Sequence, residues 1–476
     1  MFFKNMGCGP AEETVHCFVI YQYGVSGFCL GITGGGTETK RGRHAFDPGF
    51  HPGARGVMPL RGRRSRFPVY LELPTRNSEL TRFFPPFPVI LQDTTLFMIQ
   101  SLKIGILGGG QLGKMLIQTA LDLDLPIAVL DPDPECSCSS IANRFVCGSI
   151  TDYDTVYAFG KDLDVITIEI ENVNIDALKQ LEKEGKSVFP QPAVVETIKN
   201  KSTQKQFFAD HGIPTSPFIR VKNRDEVRNQ AAFLPAVNKL SVGGYDGKGV
   251  QLLKTPADLD KAFDADGILE KFVDFEKELA VIVARNSRGE TRCFPVVEMV
   301  FHPVANLVEY QFSPAHISAE ISEKAEKIAQ QTAEAFGITG LLAVEMFLTR
   351  DGEILVNEVA PRPHNSGHHT QKSNAVSQFD QHWRAILGLP LGNTTPFSLA
   401  AMVNILGEDG HTGEAEVKGL DKILELDNAF PFFYGKKQTK PFRKMGHVSI
   451  LAPDFENLKE KVNFVQNNLK VISKKK

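Results

Sequence analysis

The 476-residue sequence lacks any run of about 18 apolar residues, the length that a membrane-spanning helix needs. It also lacks a strong charge of either sign, because its formal net charge is −3 at pH 7. A nearly balanced chain generates no overall field that would draw it to nucleic acid or to a membrane surface. These absences argue against nucleic-acid and membrane partners, and we expect small molecules instead.

Cysteine is scarce, with seven residues scattered along the chain. Cys136 and Cys138 are separated by one residue, which is not a zinc-ligand spacing, and no histidine lies near enough in sequence to complete a familiar ligand set. This usage favours free thiols in a reducing compartment over disulfides. We therefore expect a cytoplasmic protein.

Residues 1–97 lack any sustained helix or strand period and are rich in glycine, arginine and proline. They also lack the charged, apolar and small-residue order of a signal peptide. Two interpretations compete, a disordered extension or spurious sequence translated upstream of the real start, and the abrupt change at Met98 favours the second. An RNA-binding arm built on "RGRRSR" is a weaker third.

From Met98 onward, short apolar strands alternate with helical patterns, which predicts a parallel-sheet domain over 98–200. The stretch "ILGGGQLGKM" (106–115) has the G-x-G-x-x-G spacing, and Asp131 follows about 20 residues later. Taken alone, this pattern indicates a nicotinamide-dependent oxidoreductase. A helix N-terminus suits any phosphate, however, so the motif does not identify its ligand.

The remainder divides at composition changes, and we predict further domains over 201–285, 286–395 and 396–476. Pro214 and Pro217 force extended chain at the entry to the first of these. An amphipathic helix is predicted over 322–336, ended by Gly337.

A pair of carboxylates is predicted on two neighbouring strands. Glu345 lies in "LLAVEMFLTR", Asn357 and Glu358 lie in "EILVNEVAPR", and a tight "DGE" turn connects the strands as antiparallel neighbours. Two carboxylates and an amide oxygen facing one space are hard oxygen ligands suited to magnesium. Like charges held together without a cation are costly. The alternative is two solvated glutamates on a sheet face.

A glycine-rich hairpin, "GGYDGKG", follows Lys239. Free backbone N–H groups in such a turn can wrap phosphate oxygens, and Lys239 and Lys248 supply positive charge. Glu270 and Lys271 stand at a later strand end that could read an adenine edge or ribose hydroxyls. Taken singly, an ordinary flexible hairpin and a charged strand edge are equally good explanations.

In this order, Lys239, the glycine-rich hairpin, "EKFV", Glu345 and "NE" resemble the ATP-grasp family. The resemblance implies a mixed α/β and α+β ATP-grasp fold. It would have an N-terminal Rossmann-like parallel-sheet domain, central lid and core subdomains, and a small C-terminal β-rich domain.

The motifs "GGGQLGKM", "TIEIENV", "KSTQKQFF", "GGYDGKG" and "NEVAPRPHNSGHHT" closely resemble one branch of that family, the 5-(carboxyamino)imidazole ribonucleotide synthases of purine biosynthesis. The resemblance covers 98–476. It implies a C–N ligase that uses ATP and bicarbonate to carboxylate 5-aminoimidazole ribonucleotide through carboxyphosphate, and a homodimer.

The resemblance also implies roles for individual residues. ATP would be held by Lys201, Lys239, Gly244, Tyr245, Asp246, Gly247, Lys248, Gly249, Glu270, Lys271, Phe272, Val273, Glu278, Glu298, Asn357 and Glu358. Magnesium, which manganese could replace, would be held by Glu345 and Glu358. The candidate catalytic residues are Arg362, His364 and Asn365. The ribonucleotide would be bound by Gly110, Gln111, Leu112, Asp131, Glu169, Lys436, Arg443 and Lys444.

Alternatives remain open for several of these residues. Arg362 suits bicarbonate and the transferred phosphoryl group, but a salt bridge to a carboxylate at the sheet end would explain it too. The three basic residues between 436 and 444 could form a solvated loop, and His447 is a weaker candidate. Three further histidines are interpreted as surface or structural residues: His302, His316 and His411.

Three rival functions keep part of the pattern. Another ATP-grasp ligase, such as a formate-dependent purine transformylase or a biotin carboxylase, is the nearest. An oxidoreductase would leave the series from Lys239 to Glu358 without a role. A non-catalytic nucleotide sensor would keep ATP binding without turnover, and the intact acidic pair argues against it.

Overall fold

The computed structural model describes residues 99–243, 249–301 and 307–474, together with the backbone of two short paired strands, Tyr21–Gln22 and Val25–Ser26. Other predictions for 1–97 lie outside the described residues.

The chain divides into two compact units, Met1–Pro85 and Pro86–Lys476. The second unit holds the sheets and helices from Ile104 onward. Among the described residues, we find no helix with the length and apolar character needed to cross a membrane.

The N-terminal part of this unit is a five-stranded parallel sheet. Its strands are β1 (Ile104–Leu107), β2 (Ile127–Asp131), β3 (Arg144–Cys147), β4 (Val165–Ile168) and β5 (Ser187–Phe189), in the order β3-β2-β1-β4-β5. Its helices are α1 (Gln111–Ala120), α2 (Tyr153–Gly160), α3 (Ile175–Lys183) and α4 (Pro192–Lys199), with a 3-10 turn at Leu121–Leu123. β1 and β4 are buried throughout because apolar clusters cover both faces of the sheet, as parallel sheets require. This confirms the predicted doubly wound domain.

A four-stranded antiparallel sheet follows helix α5 (Lys201–Asp210). Its strands are β6 (Phe218–Val221), β7 (Ala236–Leu240), β8 (Val250–Leu253) and β9 (Gly267–Lys271), in the order β8-β7-β9-β6. Helix α6 (Arg224–Arg228) and 3-10 turns at Ala231–Phe233 and Pro256–Lys261 cover it. The sheet lies in the segment predicted as the lid subdomain, and we call it the lid sheet.

The largest element is a nine-stranded antiparallel sheet. It contains β10 (Phe275–Arg285), β11 (Thr291–Cys293), β12 (Val297–Phe301), β13 (Val308–Ser313), β14 (Gly340–Thr349), β15 (Ile354–Ala360), β16 (Leu399–Leu406), β18 (Ala429–Phe433) and β20 (Lys444–Ala452). The order is β15-β14-β10-β12-β13-β16-β20-β18, and β11 pairs with β10.

Two predicted boundaries differ from this topology. β10 was assigned to the lid segment 201–285, but it pairs with β12 and β14 in the large sheet because its register partners lie there. The strands after residue 396 were expected to form a separate small domain, yet β16 pairs directly with β13. The large sheet is therefore continuous from the core subdomain into the C-terminal region.

Helices close both faces of this sheet. On one face, α7 (Ala319–Phe336) buries Ala325, Ile328, Ala329 and Ala333 against β10 and β14, which confirms the predicted amphipathic face. Ser318 caps its start, and Gly337 ends it at φ 59°. On the other face, the indole N–H of Trp383 in α9 (Gln378–Ile386) donates to the Leu116 carbonyl of α1 at 2.9 Å. That bond ties the core to the parallel-sheet domain.

The remaining elements connect or follow the strands of the large sheet. A 3-10 turn at Asn365–Gly367 and α8 (Thr370–Ser373) lead from β15 to α9. The C-terminal region adds β17 (Gly413–Lys418), α10 (Leu420–Leu424), β19 (Gln438–Thr439), α11 (Phe455–Asn468) and β21 (Lys470–Ser473). Strands β19, β17 and β21 form a small three-stranded sheet.

Candidate active site

The two predicted acidic residues are direct cross-strand neighbours. Glu345 on β14 pairs with Glu358 on β15, which confirms that the "DGE" turn brings them side by side. The next pair is Met346 with Val356, so Asn357 is an extra residue in a β-bulge. Neighbouring residues of a regular strand point to opposite faces, whereas in a bulge two residues oppose one. The bulge thus allows the side chains of Asn357 and Glu358 to approach the same ligand.

Lysines from two other elements meet this pair. Lys201, the first residue of α5, forms an ion pair with Glu358. Lys239 on β7 donates to the Asn357 amide oxygen at 2.9 Å and to Glu270 Oε2 at 3.1 Å. Glu270 belongs to β9, so the lid sheet and the large sheet meet at these side chains.

The carboxyl groups here have divergent pKa values. Burial, and then the neighbouring charge of Glu358, raise the pKa of Glu345. Lys201 holds the pKa of Glu358 below its ordinary value. Burial also raises the pKa of Glu278 on β10 to about 7. Negative charge therefore exceeds what the side chains at this position can stabilise, and an added cation would relieve the repulsion.

The donor set fits magnesium, since two carboxylates and the Asn357 amide are hard oxygen ligands. Among the described residues there is no cluster of three or more histidine, cysteine, aspartate or glutamate side chains able to hold a metal. A two-carboxylate site suits Mg²⁺, which commonly takes its other ligands from water and substrate phosphates.

The segment after β15 carries the three candidate catalytic residues. The Arg362 guanidinium lies 2.9 Å from Glu171, in the loop that follows β4, so the salt bridge left open above is present. The His364 ring lies 3.3 Å from Glu345, and its other nitrogen lies 2.9 Å from the Ser366 hydroxyl. Burial, and then the positive charge of Arg362, lower the pKa of His364 to about 3. The imidazole is therefore neutral at physiological pH.

Asn365 begins the 3-10 turn, and its backbone carbonyl accepts a bond from Gln311 at 2.8 Å. Its side-chain nitrogen is buried without a hydrogen-bond partner among the described residues. A buried donor of this kind is costly unless a ligand or water meets it. All three candidates therefore follow the end of β15, and His364 lies beside the acidic pair.

The glycine turn after β1 is already filled by carboxylates. Glu169, at the end of β4, accepts from the Gly110 N–H at 2.7 Å and from the Gly113 N–H at 2.9 Å. Asp131 accepts from the Gly109 N–H at 2.6 Å. In a dinucleotide site such amides face a phosphate. Here internal side chains occupy them, so these amides would not serve a phosphate in this arrangement.

Gln111 and Leu112 open helix α1 directly beyond this turn. The predicted contact of Gly110 with the ribonucleotide therefore cannot use its N–H while Glu169 accepts it. We retain these substrate assignments as predictions.

The C-terminal basic residues lie at the entrance to β20. Lys436 donates to the Lys444 carbonyl at 2.8 Å, and Arg443 donates to the Gln438 carbonyl at 2.7 Å. The charge of Lys444 is among those that lower the pKa of His364, after burial and Arg362. The C-terminal region thus brings positive charge towards the acidic pair.

Glu298 does not join the site. It pairs with Leu279 on β10, whereas Glu345 pairs with Ala280, and neighbouring residues of a strand face opposite sides of a sheet. Glu298 instead forms an ion pair with Lys277 at 3.0 Å. The prediction that Glu298 contacts ATP is therefore at odds with its position on the far face. The sequence indicated its strand but not the register.

The "EKFV" residues lie at the end of β9. The Lys271 ammonium donates to the carbonyls of Phe233 and Leu234 at 3.0 Å each, Phe272 is exposed, and Val273 is half-buried. Gly249 adopts φ 73° where β8 begins. Residues 244–248 of the predicted phosphate loop, and His302, lie outside the described residues.

Two residues at the site were missed by the sequence interpretation. Lys205, one helical turn after Lys201, is buried beside Glu270 at 3.4 Å, and the i,i+4 spacing in "KSTQK" was the available signal. Gln378 accepts from the His364 N–H at 2.9 Å and donates to the His364 carbonyl at 2.7 Å. No sequence signal indicates the contact between Gln378 and His364.

Comparisons with known proteins match each part of this architecture. The "Ribonucleotide synthetase preATP-grasp domain" model covers residues 101–199, and the "ATP-grasp domain" model covers 206–379. The "Phosphoribosylaminoimidazole carboxylase C-terminal domain" model covers 400–461.

Among curated relatives, the N5-carboxyaminoimidazole ribonucleotide synthase of Bacillus subtilis is 39% identical over 369 residues, which is 76% of this chain and 94% of that protein. The crystal structure of the synthetase from Thermotoga maritima is 41% identical with a TM-score of 0.73, covering 78% of this chain and 100% of that one. The Aspergillus clavatus synthase, solved with ADP and 5-aminoimidazole ribonucleotide, is 32% identical with a TM-score of 0.71, covering 78% and 99%. The chain therefore belongs to the N5-carboxyaminoimidazole ribonucleotide synthase family of ATP-grasp ligases.

Proposed function

We propose that this chain uses ATP and bicarbonate to carboxylate the exocyclic amine of 5-aminoimidazole ribonucleotide, giving N5-carboxyaminoimidazole ribonucleotide, ADP and phosphate. The observation that carries the proposal is the Glu345–Glu358 pair, met by lysines from α5 and β7, with Arg362 and His364 at the end of the same strand. This combination suits a nucleotide triphosphate beside a small anion.

The reaction has two balanced steps. An oxygen of bicarbonate attacks the γ-phosphorus of ATP, the bond to the β-phosphate oxygen breaks, and carboxyphosphate and ADP form. The amine nitrogen then attacks the carboxyl carbon, either in carboxyphosphate or in carbon dioxide released from it. Phosphate leaves and the nitrogen loses a proton. Little covalent chemistry falls to the protein, so positioning and charge stabilisation are its main contributions.

The side chains divide these tasks. Lys201 and Lys239 would bind the phosphates, and each is now paired with a residue of the acidic pair's strand, Glu358 and Asn357 respectively. Arg362 would hold bicarbonate, since its planar fork matches a carbonate-like anion. Neutral His364 can donate or accept one hydrogen bond there without adding charge.

Magnesium is proposed at Glu345 and Glu358, with Asn357 as a third oxygen, and manganese would have the same ligand preference. When bound, it would neutralise phosphate charge and orient the γ-phosphate for transfer. The support is the raised pKa of Glu345, whose causes are burial and the charge of Glu358.

The remaining residue assignments concern the ribonucleotide. Lys436, Arg443 and Lys444 would bind the ribonucleotide phosphate, and Gly110, Gln111 and Leu112 would line its site together with Asp131 and Glu169.

We also propose a cytoplasmic homodimer. Free thiols at Cys136, Cys138, Cys147 and Cys293 suit a reducing compartment, and light scattering of the purified chain measures the oligomeric state.

The decisive experiment measures ADP release with ATP and Mg²⁺, adding bicarbonate and 5-aminoimidazole ribonucleotide separately and together. We expect the highest rate with both present, and carboxylated ribonucleotide as the product. A transformylase would require formate instead, and a biotin carboxylase would require biotin. ATP binding without any turnover would indicate a nucleotide sensor and contradict the proposal.

A further inference from the structure

Among the described residues near the site, Lys205 is the most deeply buried charged side chain, with 2% of its side chain exposed. Its ammonium donates to the Thr215 hydroxyl at 2.6 Å, to the Ser216 hydroxyl at 3.3 Å and to the Val356 carbonyl at 3.4 Å. It also lies 3.4 Å from Glu270 Oε2.

These partners come from three separate pieces of the fold. Thr215 and Ser216 lie in the segment between α5 and β6. Glu270 lies on β9 of the lid sheet, and Val356 lies on β15 of the large sheet. Val356 directly precedes the bulged Asn357. Lys205 therefore links the lid sheet to the strand that carries the acidic pair.

Glu270 Oε2 is shared by two lysines. Lys239 lies 3.1 Å from it, Lys205 lies 3.4 Å from it, and the Ser216 hydroxyl donates to it at 3.1 Å. Burial raises the pKa of Glu270, but Lys239 and Lys205 outweigh burial and keep the pKa below its ordinary value. Glu270 is therefore ionised, and its one negative charge faces two positive charges.

Burying Lys205 is energetically unfavourable if its only role is to hold the fold together. Burial lowers the pKa of Lys205 to about 8, which reflects the cost of removing an ammonium group from water. Buried ion pairs can often be replaced by apolar residues of similar volume without loss of stability. An unbranched apolar side chain such as methionine would fill the same space, so the buried charge calls for another explanation.

The consequence of removing Lys205 concerns Lys239. Without Lys205, Glu270 would be paired with Lys239 alone, and the negative charge of Glu270 would offset most of the attraction that Lys239 exerts on an anion at the position where it also meets Asn357. With Lys205 present, the three groups retain a net charge of one positive unit. Lys239 then remains attractive to an anionic phosphate.

We propose that Lys205 is a positioning residue of the nucleotide site, which shares Glu270 so that this carboxylate does not neutralise Lys239. The proposal deepens the proposed function and rests on it only in taking the nucleotide to be ATP. Lys205 acts through Lys239 and does not itself touch the substrate.

The test is a double-mutant cycle on the full chain, with ATP affinity measured by calorimetry in the absence of bicarbonate and ribonucleotide. Lys205→Met should weaken ATP binding about tenfold or more, the effect of losing one charge-assisted interaction. In a Glu270→Gln background the same substitution should weaken ATP binding less than about threefold, because the neutralising carboxylate is gone. A packing role would give the same loss in both backgrounds.

The matched control is Lys179→Met, which removes an exposed lysine paired with Glu196 at 2.7 Å on the parallel-sheet domain. ATP affinity should be unchanged in that variant. In steady-state assays, Lys205→Met should raise the KM for ATP and leave the KM for bicarbonate unchanged.

Two outcomes overturn the proposal: unchanged ATP affinity in Lys205→Met, or an equal loss with and without Glu270. If the single variant does not fold, the double variant Lys205→Met/Glu270→Gln is compared with Glu270→Gln, and the proposal requires it to fold and to bind ATP equally well. Failure of the proposed function would instead appear as ADP release that does not depend on the ribonucleotide. The ATP affinities in the double-mutant cycle would then be unchanged.

Discussion

Pairs of carboxylates in the two sheets mark two regions of this molecule, and the partners of these carboxylates differ. In the glycine turn of the parallel sheet, Glu169 and Asp131 accept hydrogen bonds from backbone N–H groups of Gly109, Gly110 and Gly113. At the bulge of the large sheet, Glu345 and Glu358 face each other, and lysine and histidine side chains approach them.

The two regions differ in whether the partners of the carboxylates are fixed or can exchange for a ligand. Backbone amides are fixed in place, and in the glycine turn each of these N–H groups is already satisfied by one carboxylate oxygen. Lysine side chains can exchange partners, and at the bulge the carboxylates of Glu345 and Glu358 lie side by side on neighbouring strands. We infer that the backbone N–H groups of the glycine turn serve stability, whereas the bulge is suited to a cation and phosphates.

The largest effect should follow from neutralising the acidic pair. Glu345→Gln and Glu358→Gln each remove a charge but little volume, and we expect turnover to fall at least about 100-fold, as when a group stabilising transition-state charge is lost. The measurement is the rate of ADP release at saturating substrates. Glu298→Gln on the opposite face is the control and should keep near-normal turnover. Similar losses in all three variants would contradict the assignment.

Arg362 lies between the two regions, because it pairs with Glu171 after β4 yet follows the acidic strand. Arg362→Lys keeps the charge but loses the planar fork. We expect the KM for bicarbonate to rise about tenfold or more, while ATP affinity by calorimetry is maintained. If ATP affinity collapses, Arg362 is structural, and the anion site must lie at His364 and Asn365.

Glu169→Gln should affect stability more than chemistry. The amide oxygen can satisfy one of the two N–H groups, and leaving the other unpaired should lower the free energy of unfolding by about 1–3 kcal/mol. Urea unfolding measures this loss. Turnover of the folded enzyme should change far less than in the acidic-pair variants. A raised KM for the ribonucleotide with unchanged stability would instead show that Glu169 contacts substrate.

The sequence was sufficient for the fold class and for the pairing of Glu345 with Glu358. Both follow from local signals, namely alternating strands and helices and a short turn between two strands. The far-face position of Glu298 and the transfer of β10 to the large sheet were not predictable, since register and strand partners are decided by tertiary pairing.

The same limit applies to the residues that connect distant segments. Gln378 and His364 are 14 positions apart and meet only because α9 packs beside the end of β15. The glycine motif was visible, but Glu169, which fills it, comes from another strand 59 positions after Gly110. Motifs therefore identified where chemistry could occur, and three-dimensional contacts decided which motif is available for it.

The smallest expected effect concerns pH, and it compares one buried histidine from each region. His382 lies 2.9 Å from the Thr167 hydroxyl on β4, and His364 lies beside Glu345. Burial lowers the pKa of each to about 3, with Arg362 adding to the shift at His364.

Because folding depresses these pKa values, the stability that each histidine contributes is complete above its ordinary pKa of 6.5 and is lost as pH falls towards 3. Because of each histidine, the free energy of unfolding should fall by about 1.4 kcal/mol when the pH is lowered from 7.5 to 5.5. Urea unfolding at these two pH values measures the loss for the wild type and for His382→Asn and His364→Asn. We expect each variant to reduce the acid loss by that amount. Bicarbonate-dependent ADP release should fall only in His364→Asn, and an equal fall in both variants would mean that His382 also supports the site.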